Sequence, residues 1–154
     1  MRLRHFTEED FEFISENWTD NKRMTGIFFP TDKTEYKELI AKWNTCLFNG
    51  KYFEQFIIED GVPVGLCSLY EHSDNEVSYG AIIDSNFYRR GYCTFACKEL
   101  VKIAKQKGFN TMSAGAREDN EASIGFLKKF GFVYKETIIN SRGNKQLQFT
   151  YSIE

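Results

Sequence analysis

The residues best suited to chemistry lie between Asn86 and Cys97, where the chain reads Asn-Phe-Tyr-Arg-Arg-Gly-Tyr-Cys-Thr-Phe-Ala-Cys. This stretch follows a β-like run from Val77 to Asp84. It leads into an amphipathic helix carrying Cys97, Leu100, Val101 and Ala104 at i, i+3, i+4 and i+7. A strand that becomes a helix through Arg89-Arg90-Gly91 leaves backbone N–H groups unpaired at the positive helix end, and two arginines deepen the attraction for an anion. Gly91 can take a positive φ or let the backbone approach a ligand closely. The expected chemistry is the binding of phosphate, as carried by a nucleotide-derived cofactor. The plain alternative is a solvated helix cap.

The elements that must position this stretch are read in order. Met1 to Phe6 has the alternation of a short strand. Thr7 with Asp10 resembles a capping box and opens a helix with Phe11, Ile14 and Trp18 on one face. Asn21 to Pro30 is an apolar loop. Asp32 with Glu35 starts a second helix with the stripe Tyr36, Leu39, Ile40, Trp43 and Leu47, ending near Asn49-Gly50. Tyr52–Glu59 and Val62–Tyr70 flank Asp60-Gly61, a hairpin signal, and a third strand through Val77, Tyr79, Ala81 and Ile83 completes a meander. The helix from Gly91 stops at Gly108, and Thr111 to Ala116 reads as a strand. Asn120 caps a helix that ends at Gly131, and Phe132–Ile139 with Leu147–Ile153 form a last hairpin. The order β-α-α-β-β-β-α-β-α-β-β predicts an α/β (α+β) domain over residues 1–154, a mixed sheet with helices on both faces.

Composition excludes several classes. The formal net charge of −2 argues against nucleic acid as the main partner. No apolar run reaches membrane-spanning length and no signal peptide is visible, so the reading is a cytoplasmic protein with no membrane partner. Of the four cysteines, only Cys93 and Cys97 are close in sequence, and the two histidines, His5 and His72, are distant from them. No metal site is expected, and reduced thiols are the plain reading. Aromatic residues make up 16% of the chain, so rings must build much of the core and of any pocket.

Two local signatures within this element order resemble the GNAT N-acetyltransferase superfamily, over the whole chain. Gly80-Ala81-Ile82-Ile83-Asp84 followed by Tyr88-Arg89-Arg90-Gly91-Tyr92-Cys93 is similar to the superfamily's pyrophosphate motif. Asn120-Glu121-Ala122-Ser123 with Lys129-Phe130-Gly131-Phe132 resembles a block of the RimJ/RimL-like ribosomal-protein acetyltransferase branch. Tyr88 stands where Gln or Arg is usual, Cys93 where Gly or Ala is usual, Leu127 where many members carry a tyrosine acid, and Ser78 where the branch commonly has Glu.

The resemblance implies a sheet of about seven strands, splayed between the fourth and fifth, with acetyl-CoA as the cofactor. It implies transfer by direct attack of a primary amine, belonging to a small molecule or to a peptide or protein N-terminus. Backbone around Ala81, Ile82 and Ile83 would meet the acetyl carbonyl and pantetheine. Arg89, Arg90, Gly91, Tyr92, Cys93 and Thr94 would hold the pyrophosphate, and Asn120 and Ser123 would meet the pantetheine arm. Ser123 is the candidate to hydrogen-bond or protonate the departing sulfur. Glu76 is the candidate base, with Glu118 and Asp119 as rivals. Phe28 and Phe29 are candidates for the acceptor wall, together with Trp18, Met24, Trp43 and Tyr151. Cys93 and Cys97 are read as packing residues, since no histidine is positioned to activate them. The resemblance also allows a homodimer, which the residues themselves do not indicate. The alternative is a CoA-binding sensor of the same fold with a degenerate site.

Overall fold

A computed structural model describes residues 1–154. Eight strands form one mixed sheet: β1 (Arg2–Arg4), β2 (Leu47–Phe48), β3 (Lys51–Glu59), β4 (Pro63–Glu71), β5 (Glu76–Ile83), β6 (Thr111–Arg117), β7 (Val133–Ile139) and β8 (Lys145–Ser152). Four helices accompany them: α1 (Phe11–Asn17), α2 (Lys33–Trp43), α3 (Tyr92–Gln106) and α4 (Glu121–Phe130). The strand order is β1-β3-β4-β5-β6-β8-β7, with β2 paired to the start of β3.

Local rules explain most of these boundaries. The Asp10 carboxylate accepts from the Thr7 N–H at 2.9 Å, closing a short 3-10 turn that runs into α1. Asp32 caps α2 by accepting from Glu35 N–H, and Gly131 ends α4 in the left-handed region at φ 119°. The α2 helix corrects the expectation of a stop near Asn49-Gly50, because it ends at Trp43. Left-handed backbone at Cys46 (φ 58°), Asn49 (φ 52°) and Gly50 (φ 77°) turns the chain into a two-residue strand, so Leu47 belongs to β2 and not to the helical stripe. This strand is the eighth, one more than the sequence pattern indicates.

The pleat of the sheet sorts side chains into two cores. Val77, Cys67, Leu69, Met112 and Phe149 lie with α3 and α4 through Cys97, Leu100, Ala104 and Leu127. Ile57, Leu66 and Ile82 meet Ile14, Trp18, Tyr36 and Ile40 on the α1 and α2 side.

The feature that positions the site lies between β5 and β6. β5 is paired along its length with β4, and β6 along its length with β8. Between them, however, the parallel ladder holds only Glu76–Thr111, Val77–Met112 and Ser78–Ser113. Beyond Ser78 and Ser113, whose hydroxyls meet at 3.1 Å, the two strands part.

Candidate active site

The parting opens a cleft of about 890 Å³ bounded by β5, β6, the loop before α3, the start of α4 and Thr25 from the α1–α2 loop. The root of that loop is Asp84, fully buried. Its carboxylate accepts from Trp18 Nε1 at 2.8 Å, from Arg23 Nε at 3.0 Å and from Asn86 N–H at 2.9 Å, and it forms an ion pair with Arg23 at 2.7 Å. Burial alone would raise this carboxyl, but Arg23, Trp18 and the Asn86 amide outweigh it and hold it below its usual range. Ser85 N–H donates to Arg23 O at 2.9 Å and Phe87 N–H to Asp84 O at 2.8 Å, so the loop leaves a rigid base.

After this base, backbone pairing stops. The seven consecutive N–H groups from Tyr88 to Thr94 donate to no acceptor in the chain, and the next, Phe95, donates to Gly91 O at 3.0 Å. Arg89 (φ 62°) and Gly91 (φ 84°) both lie in the left-handed region. Alternation between left-handed and ordinary backbone lets successive amides converge into an anion-binding concavity, here continuous with the N-terminus of α3. Neither Arg89 nor Arg90 is in an ion pair; the Arg90 guanidinium sits 5.4 Å from the centre of the Phe87 ring.

The edge of β5 contributes a second set of donors. Asp84 N–H donates to Val64 O, on the β4 side. Backbone direction alternates along an extended strand, so the N–H groups of Ile83 and Ala81 turn to the opposite edge, toward the gap. Across the cleft, Asn120 Oδ1 accepts from Ser123 N–H at 3.1 Å and so caps α4; its Nδ2 remains as a donor. The Tyr92 hydroxyl donates to Asp60 at 2.7 Å, so its ring is tied to the loop between β3 and β4 while its amide stays unbonded.

Of the residues singled out from the sequence, Ala81, Ile82, Ile83, Arg89, Arg90, Gly91, Tyr92, Cys93, Thr94, Asn120 and Ser123 all border this cleft. Glu76, Phe28 and Phe29 do not. Glu76 sits in the zipped part of β5, two residues below Ser78 on the same face, with its carboxylate 3.7 Å from His72 Nε2. Phe29 is 5% exposed and packs among Phe6, Trp18 and Trp43, whereas Phe28 is 72% exposed. Sequence reasoning missed Thr25, Tyr79, Phe126 and Gly115 as cleft residues. The period-2 run through Tyr79 and the helical spacing of Phe126 mark buried faces and say nothing about a gap. Burial pushes the thiols of Cys93 and Cys97 up, so both are neutral and neither supplies a thiolate nucleophile.

Comparison with known proteins fits this geometry. The profile of a family described as "Acetyltransferase (GNAT) domain" matches residues 1–133. A ribosomal-protein-alanine N-acetyltransferase from Brucella melitensis superposes with a TM-score of 0.73 at 19% identity, over 99% of each chain. A spermidine N-acetyltransferase variant from Vibrio cholerae gives 0.73 at 16% identity, over 99% of this chain and 95% of that one. The yncA protein from Salmonella typhimurium, solved with its cofactor acetyl-CoA, gives 0.70 at 17% identity, over 99% and 94%. No curated protein sequence matches the chain. No helix is long and apolar enough to cross a membrane.

Proposed function

The chain belongs to the acetyltransferase (GNAT) domain family, and from that premise we propose that it moves an acetyl group from acetyl-CoA directly to a primary amine, on a small molecule or at the N-terminus of a peptide or protein. The observation that carries this reading is the run of seven unbonded amides beside two unpaired arginines, at the mouth of a gap between strands. Such a cradle suits a diphosphate, and the gap suits an extended arm hydrogen-bonding to a strand edge. The Asn120–Ser123 and Phe130-Gly131-Phe132 block supports the RimJ/RimL-like branch.

Acetyl-CoA supplies the activated acetyl thioester and a thiol leaving group. The chain's own residues would do the rest. The amides of Arg89 to Thr94 would hold the diphosphate, with Arg89 and Arg90 reinforcing the charge. Ala81, Ile82 and Ile83 would border the arm, and the amides of Ala81 and Ile83 would donate to carbonyl oxygens there. Asn120 Nδ2 would donate to the arm from the opposite wall. Ser123, one helical turn beyond the cap, would hydrogen-bond or protonate the departing sulfur, with any proton it passes on replaced from solvent. A thiol leaves readily, so the Ser123→Ala variant should lose about tenfold in kcat, at the low end of general acid catalysis, with KM for acetyl-CoA little changed.

The acceptor would enter on the α1 and α2 side, where Thr25 reaches the cleft; Phe28, three residues further along the same loop, carries an exposed ring. Its ammonium proton must leave before attack. Glu76 would take that proton at one remove, since two strand residues span about 6.6 Å and the Ser78–Ser113 hydroxyl pair lies between it and the gap. The Glu76→Gln variant should lose about tenfold or more in kcat near neutral pH. That loss should shrink as pH rises toward the acceptor's own pKa, where the amine no longer needs a base.

A sensor that binds CoA without turnover is the second reading, favoured by buried Leu127 where an acid-bearing side chain would stand. Free-thiol release from acetyl-CoA against polyamines, aminoglycosides, amino acids and N-terminal peptides separates the two. Release with one amine class supports the transferase; tight cofactor binding with no release from any class supports the sensor.

A further inference from the structure

Away from the cleft, three side chains with metal-binding donors converge from three separate elements. His5 follows β1, Cys46 lies in the turn between α2 and β2, and Glu54 is in β3. One donor atom from each lies within 4.8 Å of the other two, and none of the three borders the cleft. We propose that His5, Cys46 and Glu54 form a site for a divalent transition metal of borderline softness, zinc foremost, with a fourth position left to water.

Each ligand is held in place by the fold. The His5 ring stacks on Phe56, with centroids 5.4 Å apart and planes at 23°. Glu54 Oε2 meets His5 Nε2 at 2.6 Å, while Glu54 Oε1 accepts from the Tyr52 hydroxyl at 2.5 Å. A phenol bonded to the outer oxygen is the kind of supporting contact that orients a metal-binding carboxylate. Cys46 is pinned through its backbone: its N–H donates to Trp43 O at 3.1 Å, its C=O accepts from Phe53 N–H at 3.1 Å, and its φ is 58°.

The chemistry of the trio selects the ion. Glu54 is 9% exposed, and its only ion-pair partner is His5. A buried carboxylate with so little positive charge beside it is costly, and a bound cation offsets that cost. One thiolate and one carboxylate neutralise a divalent ion, and an imidazole completes a sulfur–nitrogen–oxygen set. Calcium and magnesium prefer oxygen alone, whereas zinc and cobalt accept this mixture. Ordinary zinc bond lengths place tetrahedral donors about 3.3–3.6 Å apart, so the His5–Glu54 contact would open by less than about 1 Å and the widest gap would close by a similar amount. The His5 side chain is 44% exposed, which gives the ion a route in from solvent.

The site is independent of acetyl transfer, and so is its test. Reduced, chelator-treated full-length protein is titrated with cobalt(II) as a spectroscopic probe and then with zinc. The expected result is one equivalent bound, with a thiolate-to-cobalt charge-transfer band in the near ultraviolet that zinc displaces. Cys46→Ser should abolish the band, and Glu54→Gln should weaken binding by at least about tenfold. His5→Ala should weaken it comparably, with the circular dichroism of the metal-free variant as the folding control. Zinc at a hundredfold excess over Kd should raise Tm by about 5–10 °C. Absence of metal uptake at submillimolar free cobalt and zinc would overturn the proposal. So would a band that persists in Cys46→Ser, or stoichiometric uptake that His5→Ala leaves unchanged.

Discussion

Replacing Gly91 with valine should weaken acetyl-CoA binding at least about a hundredfold while the chain still folds. Gly91 sits at φ 84°, and a Cβ added there meets no atom within 4 Å. The substitution therefore brings no clash; its effect comes from the backbone. A β-branched residue disfavours a positive φ, and holding it there costs about 1–3 kcal/mol. The loop relieves that strain by rotating toward negative φ, which turns the adjoining peptide planes and carries the N–H groups of Gly91 and its neighbours out of convergence. Hydrogen bonds to a charged acceptor contribute about 1.5–3 kcal/mol each, so losing two of them weakens Kd by at least about a hundredfold. Calorimetric titration measures this, with the circular dichroism of the variant as the folding control. Gly91→Ala should show a smaller loss in the same direction. A valine variant that binds within a few-fold of the parent would show that the loop does not hold the cofactor.

Asp84→Ala carries the largest expected cost to stability. It leaves the Trp18 indole N–H without a partner in a buried site and strips the Arg23 guanidinium of its carboxylate, although Arg23 keeps Asn17 Oδ1 at 2.5 Å. Breaking a buried, hydrogen-bonded ion pair from one side costs about 3 kcal/mol or more, which lowers Tm by about 6–12 °C in a chain of this size. The effect has a pH signature. Asp84 is held below its unfolded value, so its contribution is present above about pH 4 and disappears as pH falls through its lower folded-state value. The parent should lose stability over that acid range more steeply than Asp84→Ala, whose stability is already reduced at neutral pH. Denaturant melts at pH 7 and pH 3 make the comparison, and parallel curves would exclude Asp84 as the source. Because Asp84 also anchors the root of the loop before α3, the proposed cradle predicts that the variant binds acetyl-CoA more weakly as well.

What could be read from the sequence was what is local in the sequence. A strand, two arginines, a glycine and an amphipathic helix are contiguous, so the loop before α3 and its free amides follow from residues 77–104 alone. The same is true of Asn120 at the start of α4 and Gly131 at its end. The clamp beneath the loop was not visible, because Trp18 and Arg23 are 66 and 61 residues from Asp84. The sequence pattern marked Trp18 as one of an apolar stripe and said nothing of its N–H. Phe28 and Phe29 show a different limit: two identical neighbours in a loop without a regular period end with opposite exposure, and no spacing rule distinguishes them. Leu47 fitted a helical stripe that the left-handed backbone at Cys46 interrupts, a conformation uncommon for a residue other than glycine. The trio of His5, Cys46 and Glu54 was hidden for the same reason as the clamp, since only the pairing of β1 and β2 with β3 brings its members together.

The amide resonances of this loop provide the most direct test of the central claim, that the free N–H groups of residues 88–94 hold a diphosphate. In a 15N-labelled sample titrated with CoA, the amides of Tyr88 to Thr94 should show the largest shifts, followed by those of Ala81 and Ile83 along the gap. Adding pantetheine, which carries neither phosphate of the bridge, should shift the strand amides and leave those of the loop nearly unmoved. If CoA saturates the protein while the loop amides keep their free positions, or if nothing shifts at millimolar CoA, the account is wrong.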